Sequence, residues 1–299
     1  MQVSEEVQDA LATGGPIVAL ESTIIAHGLP RPDNLSAARS FEEQIRRAGA
    51  TPATVAVLDG VPTVGLSDEQ VERIAMEDMA KASVRDLPIV IGKGLSGATT
   101  VASTASLASL AGVRVFATGG LGGVHRGAID TFDESADLTV LASTPITVVS
   151  AGVKSILDIS ATLERLETLS VPVVGYRTDI FPAFWLSASE YSLDWRVDDA
   201  SEVASIMKAR DDLGYRHGIV VANPVPPEQQ WNPETHDRML EQALSSADKA
   251  GIRGKEVTPY VLSYIVEHSQ GESLGVNLDL VSNNIAVASE IAKAWAAQS

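Results

Sequence analysis

Short apolar runs alternate with longer amphipathic segments along most of the chain. A short continuous apolar run is typical of a buried strand, whereas apolar positions three or four apart are typical of a helix. The predicted strands are residues 17–20, 54–58, 87–91, 113–117, 146–149, 171–176 and 217–222. The predicted helices are residues 34–48, 67–80, 99–111, 154–169, 234–250, 258–269 and 273–297. This alternation predicts an α/β fold, layered α/β/α, with a largely parallel or mixed central sheet and a helical C-terminal portion.

The organisation of the chain indicates one domain spanning residues 1–299. We find no fixed-period repeat and no low-complexity segment that would divide it. Ser67 and Gln70 have the spacing of a capping box, which marks the start of a helix. The Pro-rich stretch 223–233 (NPVPPEQQWNP) indicates a loop. Because this stretch follows a predicted strand, it suits a loop beside a functional site as well as it suits a linker.

The composition is that of a globular protein and argues against several functional classes. Of the 299 residues, 45% are hydrophobic, which is ample for a core, and the net charge is −17. So acidic a chain lacks the cationic surface that binds nucleic acids or anionic membranes, although local Lys and Arg side chains can still bind a small anion. The absence of cysteine excludes disulfides, thiolate catalysis and cysteine-based zinc sites. Neither a signal peptide nor a membrane-length apolar run is evident, so we expect a soluble cytoplasmic protein.

Small, polar or ionisable residues follow five of the predicted strands. These segments are 21–23 (EST), 92–100 (GKGLSGATT), 118–127 (TGGLGGVHRG), 150–154 (SAGVK) and Asn223. Parallel α/β sheets bind their ligands outside the carboxyl ends of the strands. One such strand end would mean little, but five together predict a built pocket.

The glycine-rich stretch 119–127 suits a loop whose backbone approaches an anion closely. It is not a dinucleotide-binding fingerprint, because His125 stands where the third glycine of that motif would be. A loop that only needs positive φ angles is an equally good interpretation. Arg126 beside the stretch is a candidate for holding phosphate, or else a surface charge.

Lys154 is predicted to lie at or near the start of a helix, after a strand and Gly152. A cation at that end opposes the helix dipole, so the placement favours a neutral amine that can attack a carbonyl or acetal carbon. The alternative is a lysine that extends its ammonium group into solvent.

Two carboxylates, Asp133 and Asp137, stand four residues apart in the segment 131–137 (TFDESAD). Thr131 and Glu134 have capping-box spacing, so the segment is predicted to be helical and the two carboxylates to share one face. Such a pair suits a hard divalent cation whose shell is completed by water, and it equally suits compensation of the helix dipole.

Three other side chains also allow two interpretations. Glu21 at a strand end is a candidate general acid, or else a member of an ion pair. His27 and His125 could serve a site, but a lone histidine more often makes only an ordinary hydrogen bond.

Distinctive stretches follow one another along nearly the whole chain. They are 19–34 (ALESTIIAHGLPRPDN), 52–60 (PATVAVLDG), 96–104 (SGATTVAST), 115–138 (VFATGGLGGVHRGAIDTFDESADL), 151–158 (AGVKSILD), 221–228 (VANPVPPE), 255–265 (KEVTPYVLSYI) and 283–292 (NNIAVASEIA). In this order they resemble the pseudouridine-5′-phosphate glycosidase family, also described as the indigoidine synthase A-like family. Segment 184–200 (FWLSASEYSLDWRVDDA) matches that family poorly.

The resemblance implies an enzyme that reversibly cleaves the C–C glycosidic bond of pseudouridine 5′-phosphate to uracil and ribose 5-phosphate. It implies that Glu21 is the proton donor and that Lys154 is the nucleophile, forming a covalent iminium with ribose C1′. It also implies one Mn²⁺ per subunit, held by Asp133, and a homotrimer. The implied substrate-binding residues are Lys81 (with Lys93 as its rival), Val101, Thr118, His125, Ser135, Ala136, Asp137 and Asn277.

Two other functions remain open at this stage. A Schiff-base lyase or aldolase acting on another sugar phosphate would keep Lys154 but would need no uracil pocket. A non-catalytic sugar-phosphate-binding protein would not need Glu21 and Lys154 together, so their joint presence counts against it.

Overall fold

The computed structural model describes residues 1–253, 257–269 and 271–298. The strands are β1 (Gln2–Val3), β2 (Ile17–Leu20), β3 (Thr51–Leu58), β4 (Val61–Val64), β5 (Ala80–Ala82), β6 (Gly97–Thr99), β7 (Val115–Ala117), β8 (Val124–His125), β9 (Thr147–Ser150), β10 (Leu157–Asp158), β11 (Val173–Tyr176), β12 (Arg196–Val197) and β13 (Ile219–Ala222). The helices are α1 (Glu5–Ala12), α2 (Asp33–Arg47), α3 (Asp68–Met76), α4 (Leu87–Gly92), α5 (Val101–Ala111), α6 (Ala128–Thr131), α7 (Ala136–Leu141), α8 (Ile159–Thr168), α9 (Ala200–Asp212), α10 (Pro233–Lys249), α11 (Val257–His268) and α12 (Glu272–Ala296). A π-helical turn, Ile24–Gly28, follows β2.

A large mixed sheet forms the centre of the fold. In the described part of the chain its strand order is β1-β4-β3-β2-β7-β9-β13-β11-β12, and β6 pairs with both β3 and β5. The central strands from β3 to β12 run parallel, whereas β4 and β6 are antiparallel to β3. A separate two-stranded antiparallel sheet joins β10 to β8. The prediction of a largely parallel or mixed sheet is therefore confirmed.

Helices cover both faces of the sheet. Every residue of β2, β7, β9 and β13 is buried, which a strand achieves only when both faces are covered. Helix α12 packs against β2, β7 and β9 and contacts α2 and α9, while α5 packs against β2, β3 and α7. The layered α/β/α architecture with a helical C-terminal portion is as predicted. Among the described helices, none has the length and apolar character needed to cross a bilayer.

The strand predicted at residues 87–91 is wrong, because this segment forms helix α4. Pro88 stands in the first helical turn, where its missing N–H costs nothing. Only Leu87 and Val90 of this helix are buried, three positions apart, while Ile89 and Ile91 are exposed. The apolar run, rich in β-branched residues, predicted a strand, but the segment forms a helix with one narrow buried face.

The helix predicted at 154–169 begins five residues later than expected, at Ile159. Asp158 is its N-cap and accepts a hydrogen bond from the Ala161 backbone N–H at 2.9 Å. Lys154 therefore lies in a loop before β10. The expectation that a helix dipole acts on Lys154 is wrong.

The predicted single helix at 131–137 is also wrong. Thr131 ends α6, and α7 begins after its N-cap Ser135, whose hydroxyl accepts from the Asp137 N–H at 3.2 Å. Asp133 lies between the two helices, so it does not share a helical face with Asp137. The capping box at Ser67 and Gln70, by contrast, is present with both of its hydrogen bonds.

Candidate active site

A cavity of about 390 Å³ lies beside the carboxyl ends of β2, β7 and β9. Parallel strands bring their carboxyl ends to one edge of the sheet, so side chains that are distant in sequence meet there. The candidate residues from the sequence that line this cavity are Glu21, His27, Lys81, Val101, His125, Asp133, Ser135, Ala136, Asp137, Lys154 and Asn277. The pocket predicted from polar strand ends therefore exists, and it gathers residues from almost the whole chain.

Glu21 directly follows β2 and is buried, with 7% of its surface exposed. The Thr118 hydroxyl donates a hydrogen bond to Glu21 Oε1 at 2.7 Å. Burial raises the pKa of the Glu21 carboxyl, and this effect exceeds the opposing influence of Lys154 and of the Thr118 hydrogen bond. A carboxyl group with a raised pKa can carry a proton to a substrate.

Thr118 lies behind Glu21 and is absent from the cavity lining, although the resemblance implied a substrate contact. Its backbone carbonyl accepts a hydrogen bond from Asn284 Nδ2 at 2.8 Å. Asn223 Nδ2 in turn donates to Asn284 Oδ1 at 2.9 Å. Helix α12 and the end of β13 thus fix Thr118, and through it they fix Glu21.

Lys154 is held next to Glu21 by two loops that are hydrogen-bonded to each other. Leu121 N–H donates to Gly152 O at 2.9 Å, and Lys154 N–H donates to Leu121 O at 3.1 Å. Gly152 has a φ of +82°, and a Cβ there would collide with Pro182 O. The loop after β9 therefore requires glycine at this position. The Lys154 charge lies close enough to Glu21 to act on its carboxyl.

Asp137 uses both carboxylate oxygens on backbone groups. Its Oδ1 accepts from the Ala102 N–H at 2.9 Å, near the start of α5, and its Oδ2 accepts from the Gly122 N–H at 2.7 Å. A Cβ at Gly122 would stand 2.7 Å from Asp137 Oδ2, so only glycine fits. Asp137 consequently ties the glycine-rich loop to α5. The Gly122 N–H is therefore used within the protein and is not left for an anion, although the glycine-rich stretch as a whole suggested an anion-binding loop.

Asp133 is the other carboxylate considered for a metal, and its oxygens accept no hydrogen bond from a backbone group that the structure describes. His125 is an ionisable neighbour, and its Nδ1 lies 3.9 Å from Asp133 Oδ2. Burial lowers the pKa of His125, and Asp133 opposes this. Within the described residues, no group of three His, Asp or Glu side chains could enclose a metal. Asp133 therefore suits only a hydrated cation that takes its remaining ligands from water and substrate, as Mg²⁺-type sites do.

Two cationic side chains line the cavity near the start of α5. Lys81 on β5 and Arg85 both line it, together with Thr100 and Val101 at the N-terminus of α5. The N-terminus of α5 already holds the Asp137 carboxylate, so these two cations are the groups suited to a phosphate. Arg85 was not singled out from the sequence.

The other two cations considered for phosphate lie elsewhere. Lys93 is exposed and is not among the cavity-lining residues, so of the rival lysines only Lys81 reaches the cavity. Arg126 is also absent from the lining, and its guanidinium donates to Ser155 O at 3.2 Å.

Phe184 shows that the poorly matching segment 184–200 takes part in the site. This residue lines the cavity with a φ of +63°, a conformation that non-glycine residues rarely adopt. Its N–H donates to Ala151 O at 3.0 Å, and its ring lies against Gly119 and Gly120. No spacing or periodicity in the sequence could have indicated this role. Thr258 and Pro259 also line the cavity; both lie in the stretch 255–265, but the sequence indicated no role for either.

Known proteins resemble this chain over nearly its full length. It is 61% identical over 297 residues to a pseudouridine-5′-phosphate glycosidase of Frankia alni. The match covers 99% of this chain and 82% of the relative. It is 56% identical to a pseudouridine-5′-phosphate glycosidase of Saccharopolyspora erythraea, covering 98% of this chain and 97% of that one.

A solved structure and a family model agree with these relatives. The crystal structure of the prealnumycin C-glycosynthase AlnA in complex with ribulose 5-phosphate superposes with a TM-score of 0.91 at 36% identity. The superposition covers 99% of this chain and 97% of AlnA. The model of the indigoidine synthase A like protein family matches residues 6–294. The chain therefore belongs to the indigoidine synthase A like family.

Proposed function

We propose that this protein cleaves the C–C glycosidic bond of pseudouridine 5′-phosphate, giving uracil and ribose 5-phosphate, and catalyses the reverse reaction. The observation that carries the proposal is the pairing of Glu21 and Lys154 at one cavity, an acid whose pKa burial raises beside a primary amine. The names of the curated relatives support this substrate, and the ribulose 5-phosphate bound to AlnA supports a sugar phosphate.

The amine of Lys154 and the carboxyl group of Glu21 together suit the cleavage of a C–C glycosidic bond. Uracil C5 carries no leaving-group oxygen or nitrogen, so protonation of a heteroatom cannot release it. In the proposed reaction the Lys154 amine bonds to C1′ while the C1′–O4′ bond breaks and O4′ takes up a proton. This opens the ribose ring and leaves a secondary amine on C1′.

Glu21 then supplies a proton to C5 of the base. The Lys154 nitrogen lone pair forms a C=N bond to C1′, and the electrons of the C1′–C5 bond return to the pyrimidine ring, which leaves as uracil. Water hydrolyses the resulting iminium to ribose 5-phosphate and frees the lysine. Glu21, now ionised, recovers its proton from solvent in the same cycle.

The phosphate would lie against Lys81 and Arg85. Asp133 would hold a hydrated Mn²⁺, which supplies local positive charge beside the substrate when it is bound. Val101, Ser135 and Ala136 line the same region and complete the proposed substrate contacts. We propose that the assembly is a homotrimer, on the strength of the family resemblance.

The decisive experiment is to incubate the purified protein and Mn²⁺ with pseudouridine 5′-phosphate and to measure free uracil by chromatography. Uridine 5′-phosphate, which has a C–N bond to the same base, is the matched control and should stay intact. A Schiff-base lyase or aldolase acting on another sugar phosphate would release no uracil from either compound. Absence of uracil with Mn²⁺ and with Mg²⁺ would refute the proposal.

A further inference from the structure

Trp185 makes a hydrogen bond that fixes the orientation of a cavity-lining amide. Its indole Nε1–H donates to Asn277 Oδ1 at 2.7 Å. An indole N–H can only donate, so the Asn277 side chain must turn its oxygen toward Trp185. Asn277 is 7% exposed and lines the cavity. Its Nδ2 group, on the other side of the amide, makes no hydrogen bond to any residue that the structure describes.

The indole cannot turn away from this position. Trp185 is fully buried, and its ring lies edge-on to Trp231 at 5.5 Å and to His236 at 5.8 Å between centroids. Its backbone carbonyl accepts from the Trp231 N–H at 3.0 Å. Close packing of this kind restricts a side chain to one rotamer. The donor direction of the indole is therefore set by the surrounding structure.

We propose that Trp185 is a positioning residue that determines base specificity, because it makes Asn277 present N–H donors and not its oxygen to the pyrimidine. This inference rests on the proposed function and adds to it the polarity of base recognition. Asn277 then donates to a ring carbonyl of the base. A base with an amino group at the corresponding position would place donor against donor.

Three pyrimidine bases that differ in their carbonyl and amino groups can test this polarity. Uracil has carbonyl groups at C2 and C4, cytosine has an amino group at C4, and isocytosine has an amino group at C2. A freely turning amide could adapt to either group by rotating, whereas a fixed amide cannot. A site that holds a buried donor in place rejects the mismatched ligand because both polar groups lose their partners.

The main test compares Trp185→Phe with Trp231→Phe. The first variant removes the indole donor to Asn277 and keeps an aromatic ring. The second removes a neighbouring donor that bonds to Glu272 Oε2 at 3.1 Å and serves no cavity residue. For each protein, the measurements are kcat and KM for pseudouridine 5′-phosphate and the inhibition constants of uracil, cytosine and isocytosine. Thermal unfolding reports the cost to the fold separately.

We expect Trp185→Phe to raise KM and to weaken uracil inhibition by roughly tenfold, the effect of one lost hydrogen bond. Its kcat should change less than about threefold. Of cytosine and isocytosine, the base that inhibits the wild type less should become a better inhibitor relative to uracil. Trp231→Phe should keep the discrimination of the wild type. Wild-type discrimination in Trp185→Phe would overturn the inference.

A second variant keeps the inference testable if Trp185→Phe does not fold. Asn277→Asp retains the shape of the side chain and an oxygen for the indole, but replaces the donor group with an acceptor. In this variant, whichever of cytosine and isocytosine inhibits the wild type less should inhibit better than uracil. An unchanged ranking would overturn the inference. A wild-type protein that releases no uracil would instead refute the proposed function itself.

Discussion

The Thr118 hydroxyl donates a 2.7 Å hydrogen bond to Oε1 of Glu21. With that oxygen occupied as an acceptor, a proton on Glu21 is carried by Oε2. Because Asn284 holds the Thr118 backbone at 2.8 Å, the acid is oriented by a rigid part of the fold and not by solvent. The proton donor of the proposed reaction is therefore oriented before any substrate binds.

Glu21→Gln should lower kcat by roughly 10²–10⁴-fold, which is the usual contribution of a general acid. Glutamine keeps the shape of the side chain and can still accept from Thr118, but it carries no transferable proton. Substrate affinity should change little, so inhibition by ribose 5-phosphate is the control measurement. Near-normal turnover of this variant would assign proton donation to another group.

Thr118→Val should move the alkaline limb of the kcat/KM–pH profile to higher pH. The Thr118 hydrogen bond favours the ionised carboxylate, so its removal raises the Glu21 pKa further, and the acid stays protonated to higher pH. Thr54→Val is a matched control, since the Thr54 hydroxyl donates at 2.6 Å to Glu42, another buried glutamate that lies away from the cavity. An unchanged limb in Thr118→Val would remove Glu21 as its source.

Lys154→Ala should be nearly inactive while remaining folded and able to bind substrate, because the covalent path is lost. Lys154→Arg should fail as well, since a guanidinium stays protonated and cannot attack C1′. Borohydride added during turnover should trap a reduced ribose-phosphate adduct on Lys154, visible by mass spectrometry. Substantial turnover by Lys154→Ala would exclude it as the nucleophile.

Lys81→Met should lower kcat/KM for pseudouridine 5′-phosphate roughly 10–150-fold, which corresponds to about 1.5–3 kcal/mol for one charge-assisted hydrogen bond. Activity on unphosphorylated pseudouridine should be low in the wild type and little changed by the substitution. Lys93→Met is the matched control, because that lysine is exposed and lies outside the cavity lining. Equal effects of the two substitutions would contradict a phosphate contact by Lys81.

Exhaustive chelation should abolish catalytic activity, and added Mn²⁺ should restore it. The reason is that Asp133 with water makes a metal site of only modest affinity. Asp133→Asn should weaken Mn²⁺ binding as measured by electron paramagnetic resonance. Asp130→Asn, which changes an exposed carboxylate on the neighbouring helix α6, should leave Mn²⁺ binding intact. Full activity after chelation would exclude a metal requirement.

The amino-acid sequence alone determined the layered fold and the location of the site. The buried runs at 17–20, 146–149 and 217–222 each form strands close to the predicted bounds, because a short apolar run bounded by turn residues has few alternatives. Since those strands are parallel, the residues that follow them had to meet at one edge of the sheet. The sequence thus placed Glu21 and Lys154 after strands, whereas the strand order β2-β7-β9, which brings them close, came from the structure.

Only the tertiary structure decided how those side chains are held. Residues 87–91 form a helix because just two of their side chains are buried, and burial depends on the neighbouring elements. Asp137 accepts hydrogen bonds from the backbone N–H groups of Ala102 and Gly122, and so ties the glycine-rich loop to α5. Trp185 meets Asn277 across 92 positions of sequence, a contact that no local pattern encodes. Hydrogen bonds between distant residues depend on the packing of the whole chain, whereas strands and their ends depend on the local order of apolar and polar residues.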